Sequence, residues 1–265
     1  MRALAPQGVI SLNNNLPIIA TFLEALSFPY KYYRVLLKIG FPLIISVTFF
    51  LILNHFSSGS DGNIALVVFG VILVLASVLS LVMAIVGCHR IFLLGPDIVE
   101  ESSLLNWTGN EIKYIGWWVL IWLCTALIGL PFMIIFMPFI ASSAENLFDN
   151  QVMFFTVIGL INIPIYYVVS RWSLVLPSSA IDKHGKSLTW SWGISSGNGW
   201  RLTLLIGFLP YVMDIIFSLL PTYESIIFAL FHGLVWIVVG VIEIGLLSLS
   251  YNFLVNNEIT ENPDE

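Results

Sequence analysis

From residue 64 to residue 87 the chain carries no charged side chain, only Val, Leu, Ile, Ala and Phe relieved by Gly, Ser and one Met. A helix rises 1.5 Å per residue, so about 20 such residues cross the roughly 30 Å hydrocarbon core of a bilayer. In water the same run would need wrapping on every side, and the rest of the chain cannot supply a soluble shell. It is 58% apolar and 10% charged, with a mean hydropathy of +0.94, where soluble domains carry roughly 25% charged residues. Ten Lys and Arg against 16 Asp and Glu, for a net charge of −6, leave no basic surface for nucleic acid. Two cysteines exclude a disulfide scaffold, and the apolar content excludes disorder.

The same criterion predicts six spans, at about 39–53, 64–87, 115–140, 152–169, 202–220 and 225–255. Together they make an all-α, polytopic helical bundle forming a single membrane domain over 1–265. Pro131 and Pro138 interrupt the third span, Asn162 and Pro164 sit in the fourth, and Pro210 and Asp214 in the fifth. An Asp near a helix centre costs about 2.5–3.5 kcal/mol, and the apolar residues of 202–220 return about 3.6–7 kcal/mol, so insertion still wins. No cleavable signal peptide is recognised ahead of the first run.

Six spans put both termini and the second and fourth connections on one side. All ten cations fall there: Arg2, Lys31, Arg34 and Lys38, then Arg90 and Lys113, then Arg171, Lys183, Lys186 and Arg201. The positive-inside rule makes that side cytoplasmic. Trp107, Trp117, Trp118, Trp172, Trp190, Trp192 and Trp200 gather on it too, with the cluster Tyr30, Tyr32 and Tyr33. Tryptophan and tyrosine favour the headgroup level, so 16–38, 97–113 and 178–200 are expected to be cytoplasmic interfacial amphipathic helices. Each precedes a two-span hairpin, giving three similar units. Arg90 and Arg171 each open a pattern of Arg, two residues, Leu, two residues, Pro. It reads either as internal duplication or as the ordinary way a helix leaves the membrane.

The stretch 170–205 is built from Arg171-Trp172-Ser173-Leu174-Val175-Leu176-Pro177, Ser187-Leu188-Thr189-Trp190-Ser191-Trp192 and Ser196-Gly197-Asn198-Gly199-Trp200-Arg201-Leu202. It resembles a signature of bacterial six-helix membrane proteins, similar to the membrane domain attached to some glycerophosphodiester phosphodiesterases. Cys88-His89-Arg90-Ile91-Phe92-Leu93-Leu94-Gly95 and Glu111-Ile112-Lys113-Tyr114-Ile115-Gly116 carry the same resemblance. It implies a multi-pass protein of the bacterial inner membrane, with no catalytic residues assigned and without the soluble phosphodiesterase domain.

Ionisable groups inside a span are functional candidates by default. Asp214 and His232 lie about 10–16 Å below the turn at Pro221 and are placed to face each other across the last hairpin. The bland alternative is a hydrogen-bonded pair holding two helices together. Glu243 is expected to pair with Arg90, Arg171 or Arg201, and Asn162 to serve a carbonyl freed by Pro164. The interface candidates are Arg90, Arg171, Arg201, Trp172, Trp190, Trp192 and Trp200. Near misses are Gly185-Lys186-Ser187, which lacks the phosphate-loop glycine, and Glu100-Glu101 with His232, which departs from the prenyl-type protease pattern at Leu105. No His-Glu-x-x-His zinc site is present. Cys88 and Cys124 are expected to pack as small hydrophobes, and Asn106-Trp107-Thr108 to be an inert glycosylation acceptor. The sequence thus predicts a non-enzymatic scaffold or accessory protein, without cofactor or metal. Its partners would be the lipid bilayer and a protein at the cytoplasmic face. A small transporter or channel using Asp214, His232 and Glu243 is the alternative.

Overall fold

The computed structural model describes residues 15–57, 64–97, 107–142, 151–182, 187–218 and 226–261, which form helices and no strand. The helices are α1 (Ile18–Lys31), α2 (Tyr33–Ser57), α3 (Ile64–Leu94), α4 (Gly109–Ser142), α5 (Gln151–Ile161) and α6 (Ile163–Trp172). Then follow α7 (Val175–Ala180), α8 (Leu188–Ile194), α9 (Gly199–Leu202), a π-helical turn (Thr203–Phe208), α10 (Leu209–Ser218) and α11 (Ile226–Glu261). Four of them, α2, α3, α4 and α11, are long and apolar enough to cross a membrane, and a fifth crossing exists if the bent pair of α5 and the helical stretch from α6 onward is one span.

Proline acts at only some of the positions the sequence suggests. α4 runs unbroken through Pro131 and Pro138, whereas the fourth span bends by 57° between α5 and α6. The break falls at Asn162, whose backbone N–H and side-chain Nδ2 both donate to Ile158 O, at 3.1 and 2.8 Å. Asn162 thus serves Ile158 O, two residues before the Leu160 carbonyl that Pro164 leaves without a donor, which corrects the expected pairing. The 202–220 run is also not one continuous α-helix. Its apolar part, Gly199–Met213, is shorter than a full span and contains the π turn, in which Leu209 N–H reaches back to Leu204 O. Pro210 has no N–H and its ring crowds the preceding turn. A widened turn just ahead of it relieves that crowding.

α2 and α3 pack as an antiparallel hairpin, and α11 packs against α1 and α3. α11 runs parallel to α3: Val238 and Val241 share a groove with Ala84 and Cys88, Gly245 abuts Phe92, and Ser248 bonds His89. The π turn lies antiparallel along α6, where Gly207 allows an approach so close that an added Cβ would stand 2.7 Å from Tyr166 Cβ.

Burial is concentrated at the end of the bundle where α3 finishes and α4 begins. Val86, Tyr114, Leu174, Leu202, Ile242 and Leu246 form one core there. Toward the other end the helices display their apolar side chains outward, as with Val67 at 64% and Ile134 at 68% exposure. Such a surface is the kind that hydrocarbon or another apolar partner covers. All six residues of α7 are buried, and Ser191, Ser195 and Asn198 are buried too. The 178–200 segment therefore has a packed interior as well as an exposed face, and its serines satisfy themselves on carbonyls three or four residues back.

Candidate functional site at the cation-bearing end

The described cations Lys31, Arg34, Lys38, Arg90, Lys113, Arg171 and Arg201 all lie on helix ends or starts that meet at this packed end. Arg2, Lys183 and Lys186 are outside the described residues. Three polar assemblies join the helices there.

The first is made by Arg90 at the end of α3. Its guanidinium is 3.2 Å from Glu111 Oε1 and donates to Ala180 O at 3.0 Å and Thr108 Oγ1 at 3.2 Å. Glu111 has a second task. Its Oε2 accepts from the Thr108 backbone N–H at 2.7 Å and from the Thr108 hydroxyl at 2.5 Å. This is the returning half of a capping box at the start of α4. Further along the same helix Lys113 Nζ meets Asp182 Oδ1 at 2.6 Å, with Asp182 in the left-handed region at φ 56°. Thr108, the third residue of the would-be glycosylation acceptor, is thus the N-cap of a long apolar helix.

The second assembly lies deeper. His89 Nδ1 is 2.7 Å from Ser248 Oγ on α11, and its Nε2 is 3.3 Å from Tyr114 Oη on α4. Ser248 Oγ also lies 2.8 Å from Ile244 O. A hydroxyl has one proton, so if Ser248 gives it to that carbonyl, the consistent arrangement has Nδ1 donating to Ser248 and Tyr114 donating to Nε2. Serine beside imidazole suggests an activated nucleophile. Here both residues are 0% exposed, and the far ring nitrogen faces a phenol rather than a carboxylate, so the trio binds α3, α4 and α11 together.

The third assembly surrounds Arg171 at the end of α6. Nε donates to Ser195 Oγ at 2.7 Å, Nη1 to Tyr167 Oη at 3.1 Å, and Nη2 to Trp192 O. The guanidinium stacks 3.6 Å from the Trp192 ring centroid. Nearby, Asn198 Oδ1 accepts from Leu16 N–H at 2.8 Å, and Arg201 donates to Leu16 O at 2.9 Å. The segment ahead of α1 is thereby pinned to the turn before α9. A cavity of about 520 Å³ beside this turn is lined by Asn15, Trp190, Asn198, Asn257 and Glu258 among others.

The seven interface candidates therefore do meet at one end, in unequal roles. Arg90, Arg171 and Arg201 tie segments together. Trp172 and Trp190 pack against the core, while Trp192 and Trp200 remain 38% and 66% exposed. Glu243 is half-buried on α11, and of the arginines named for it Arg90 bonds Glu111, Arg171 bonds Ser195 within its aromatic cage, and Arg201 bonds Leu16. His232 Nε2 accepts from Trp236 Nε1 at 3.3 Å, one turn along its own helix. The side chain of Asp214 lies outside the described residues. Among the described residues no group of three His, Cys, Asp or Glu comes together to hold a metal. No family model, curated protein or solved structure matches the chain.

The residues missed from sequence are His89, Ser248, Tyr114, Glu111 and Asn198. One signal was available: Thr108-x-x-Glu111 directly before an apolar run is a helix-start pattern. Ser248 and His89 offered none, since a serine within a span and a histidine at its end carry no spacing that pairs them.

Proposed function

We propose that this chain is a six-span, non-enzymatic membrane protein, a scaffold or accessory subunit that meets lipid headgroups and a protein partner at its cation-bearing face. That face is the cytoplasmic one, with both termini on it, and the membrane is the bacterial inner membrane. One observation carries the reading. The buried polar groups at the packed end, from Arg90–Glu111 to His89–Ser248 and Arg171–Ser195, bond to one another across helices, while Trp192, Trp200, Lys31 and Arg34 stay outward. Internal chemistry is spent on cohesion and the outer shell is left for contact.

Six crossings are supported by chain direction. Arg201 sits at the cation-bearing end, and α11 returns to that end parallel to α3. That direction supports a crossing between them, for which the apolar Gly199–Met213 stretch is the candidate. The two Arg-to-Pro junctions make different contacts, Arg90 donating to Ala180 O 90 residues on and Arg171 to Trp192 O 21 residues on.

A photo-crosslinking residue in place of Trp200 should yield a discrete protein adduct in native membranes, and the same residue at lipid-facing Met133 should yield none. No adduct at 200, together with solute flux into proteoliposomes that is lost in Asp214→Asn, would overturn the scaffold reading in favour of transport.

A further inference from the structure

Between the first half of α2 and the N-terminal half of α11 lies an apolar groove of about 190 Å³, with Cys88 of α3 at its floor. Tyr33, Gly40 and Ile44 belong to its α2 wall, and Leu234 and Val241 to its α11 wall. From Tyr33 to Ile44 the helix rises about 16 Å, roughly the depth of one leaflet's hydrocarbon. Gly40 keeps the groove open, for a Cβ there would meet nothing within 4 Å.

The mouth is chemically different. Tyr33 also borders an adjoining cavity of about 300 Å³ that Lys31, Arg34 and Pro96 line. Arg34 Nε donates to Tyr33 Oη at 3.0 Å, and Lys31 Nζ sits 5.1 Å from the Tyr32 ring centroid. Both cations are exposed, and among the described residues neither has a carboxylate within 4 Å, whereas Arg90 and Lys113 at the same end have Glu111 and Asp182. Two exposed cations at the start of an apolar span, above an apolar slot one leaflet deep, match a molecule with an anionic head and a hydrocarbon tail.

We propose that the groove holds an acyl chain of an anionic phospholipid from the bilayer, with its phosphate on Arg34 and Lys31. The forked guanidinium suits two phosphate oxygens, and the lysine adds a point charge. This rests on the membrane reading above and names the lipid class for it.

Native mass spectrometry of the full-length protein, loaded with dioleoyl phosphatidylglycerol or dioleoyl phosphatidylcholine, tests it. The parent should retain one phosphatidylglycerol in preference to phosphatidylcholine. Removing both charges in Lys31→Gln/Arg34→Gln should cut that preference roughly 25-fold, about fivefold per cation. Lys113→Gln, whose charge is already paired, should leave it unchanged. Gly40→Leu, which fills open space, should fold and lose both lipids together. Equal retention of the two lipids by the parent, selectivity that survives the double variant, or displacement of the lipid by glycerol phosphate alone would each overturn the proposal. If alkaline carbonate strips the protein from membranes, the membrane reading itself fails. If it stays inserted and shows no selectivity, only the lipid site fails.

Discussion

Glu111→Ala should lower stability by about 3–5 kcal/mol, the cost of leaving a buried charge without its partner. The Glu111 side chain is 3% exposed and that of Arg90 22%, so solvent replaces little of what is lost. The substitution also strips two acceptor bonds from the start of α4, where Thr108 N–H and its hydroxyl converge on one oxygen. Arg90 would keep Ala180 O and Thr108 Oγ1 as acceptors, which hold its geometry but offer no negative charge. Glu111→Gln retains an acceptor for the cap and should fall between parent and Ala. Arg90→Met combined with Glu111→Leu should recover much of the loss, because apolar groups of similar volume often replace a buried pair at little cost. Denaturant titration in detergent micelles measures all four. An alanine variant within 1 kcal/mol of the parent would mean that the pair is not buried in the folded protein.

Gly245→Leu should separate α11 from α3. The Phe92 ring occupies the space that a Cβ at 245 would take, and it cannot simply swing away, since Phe28 stacks on its other face with ring centroids 3.5 Å apart. Alanine gains up to about 1 kcal/mol of helix preference over glycine, against an overpacking cost of about 1–3 kcal/mol. Gly245→Ala is therefore expected to be destabilising, and Gly245→Leu more so. The diagnostic result is coupling: Phe92→Ala should make Gly245→Ala harmless, with an interaction energy of about 0.5–3 kcal/mol in the double-mutant cycle. Strict additivity would place the ring elsewhere.

The apolar runs were legible in the sequence because a span is long enough to be read without knowing its neighbours. α2, α3, α4 and α11 cover the predicted runs and overshoot them, α11 extending to Glu261 where 255 was expected. That overshoot has a cause: a helix of 36 residues is about 54 Å long, so its polar end with Asn252, Asn256 and Glu258 stands beyond a 30 Å core. The prolines acted unequally because a missing N–H costs one bond and packing decides whether that bends the helix. Pro131 and Pro138 stay within α4, while Asn162, able to cap Ile158 O, lets the chain turn before Pro164. At the candidate site, the arginines and tryptophans named from sequence stand at the packed end. Sequence did not reveal partners, because Arg90 and Glu111 or His89 and Ser248 meet only through the tertiary arrangement.

The account turns on whether 202–225 crosses the membrane, since that crossing sends α11 back toward α3 and gathers the cations on one face. Single cysteines at residues 60, 196 and 222, introduced as Ser60→Cys, Ser196→Cys and Thr222→Cys in a Cys88→Ala/Cys124→Ala background, can be probed with a membrane-impermeant maleimide. In sealed cells, residues 60 and 222 should label together from outside, and residue 196 only after permeabilisation. Labelling of 222 on the same side as 196 would contradict the six-span arrangement.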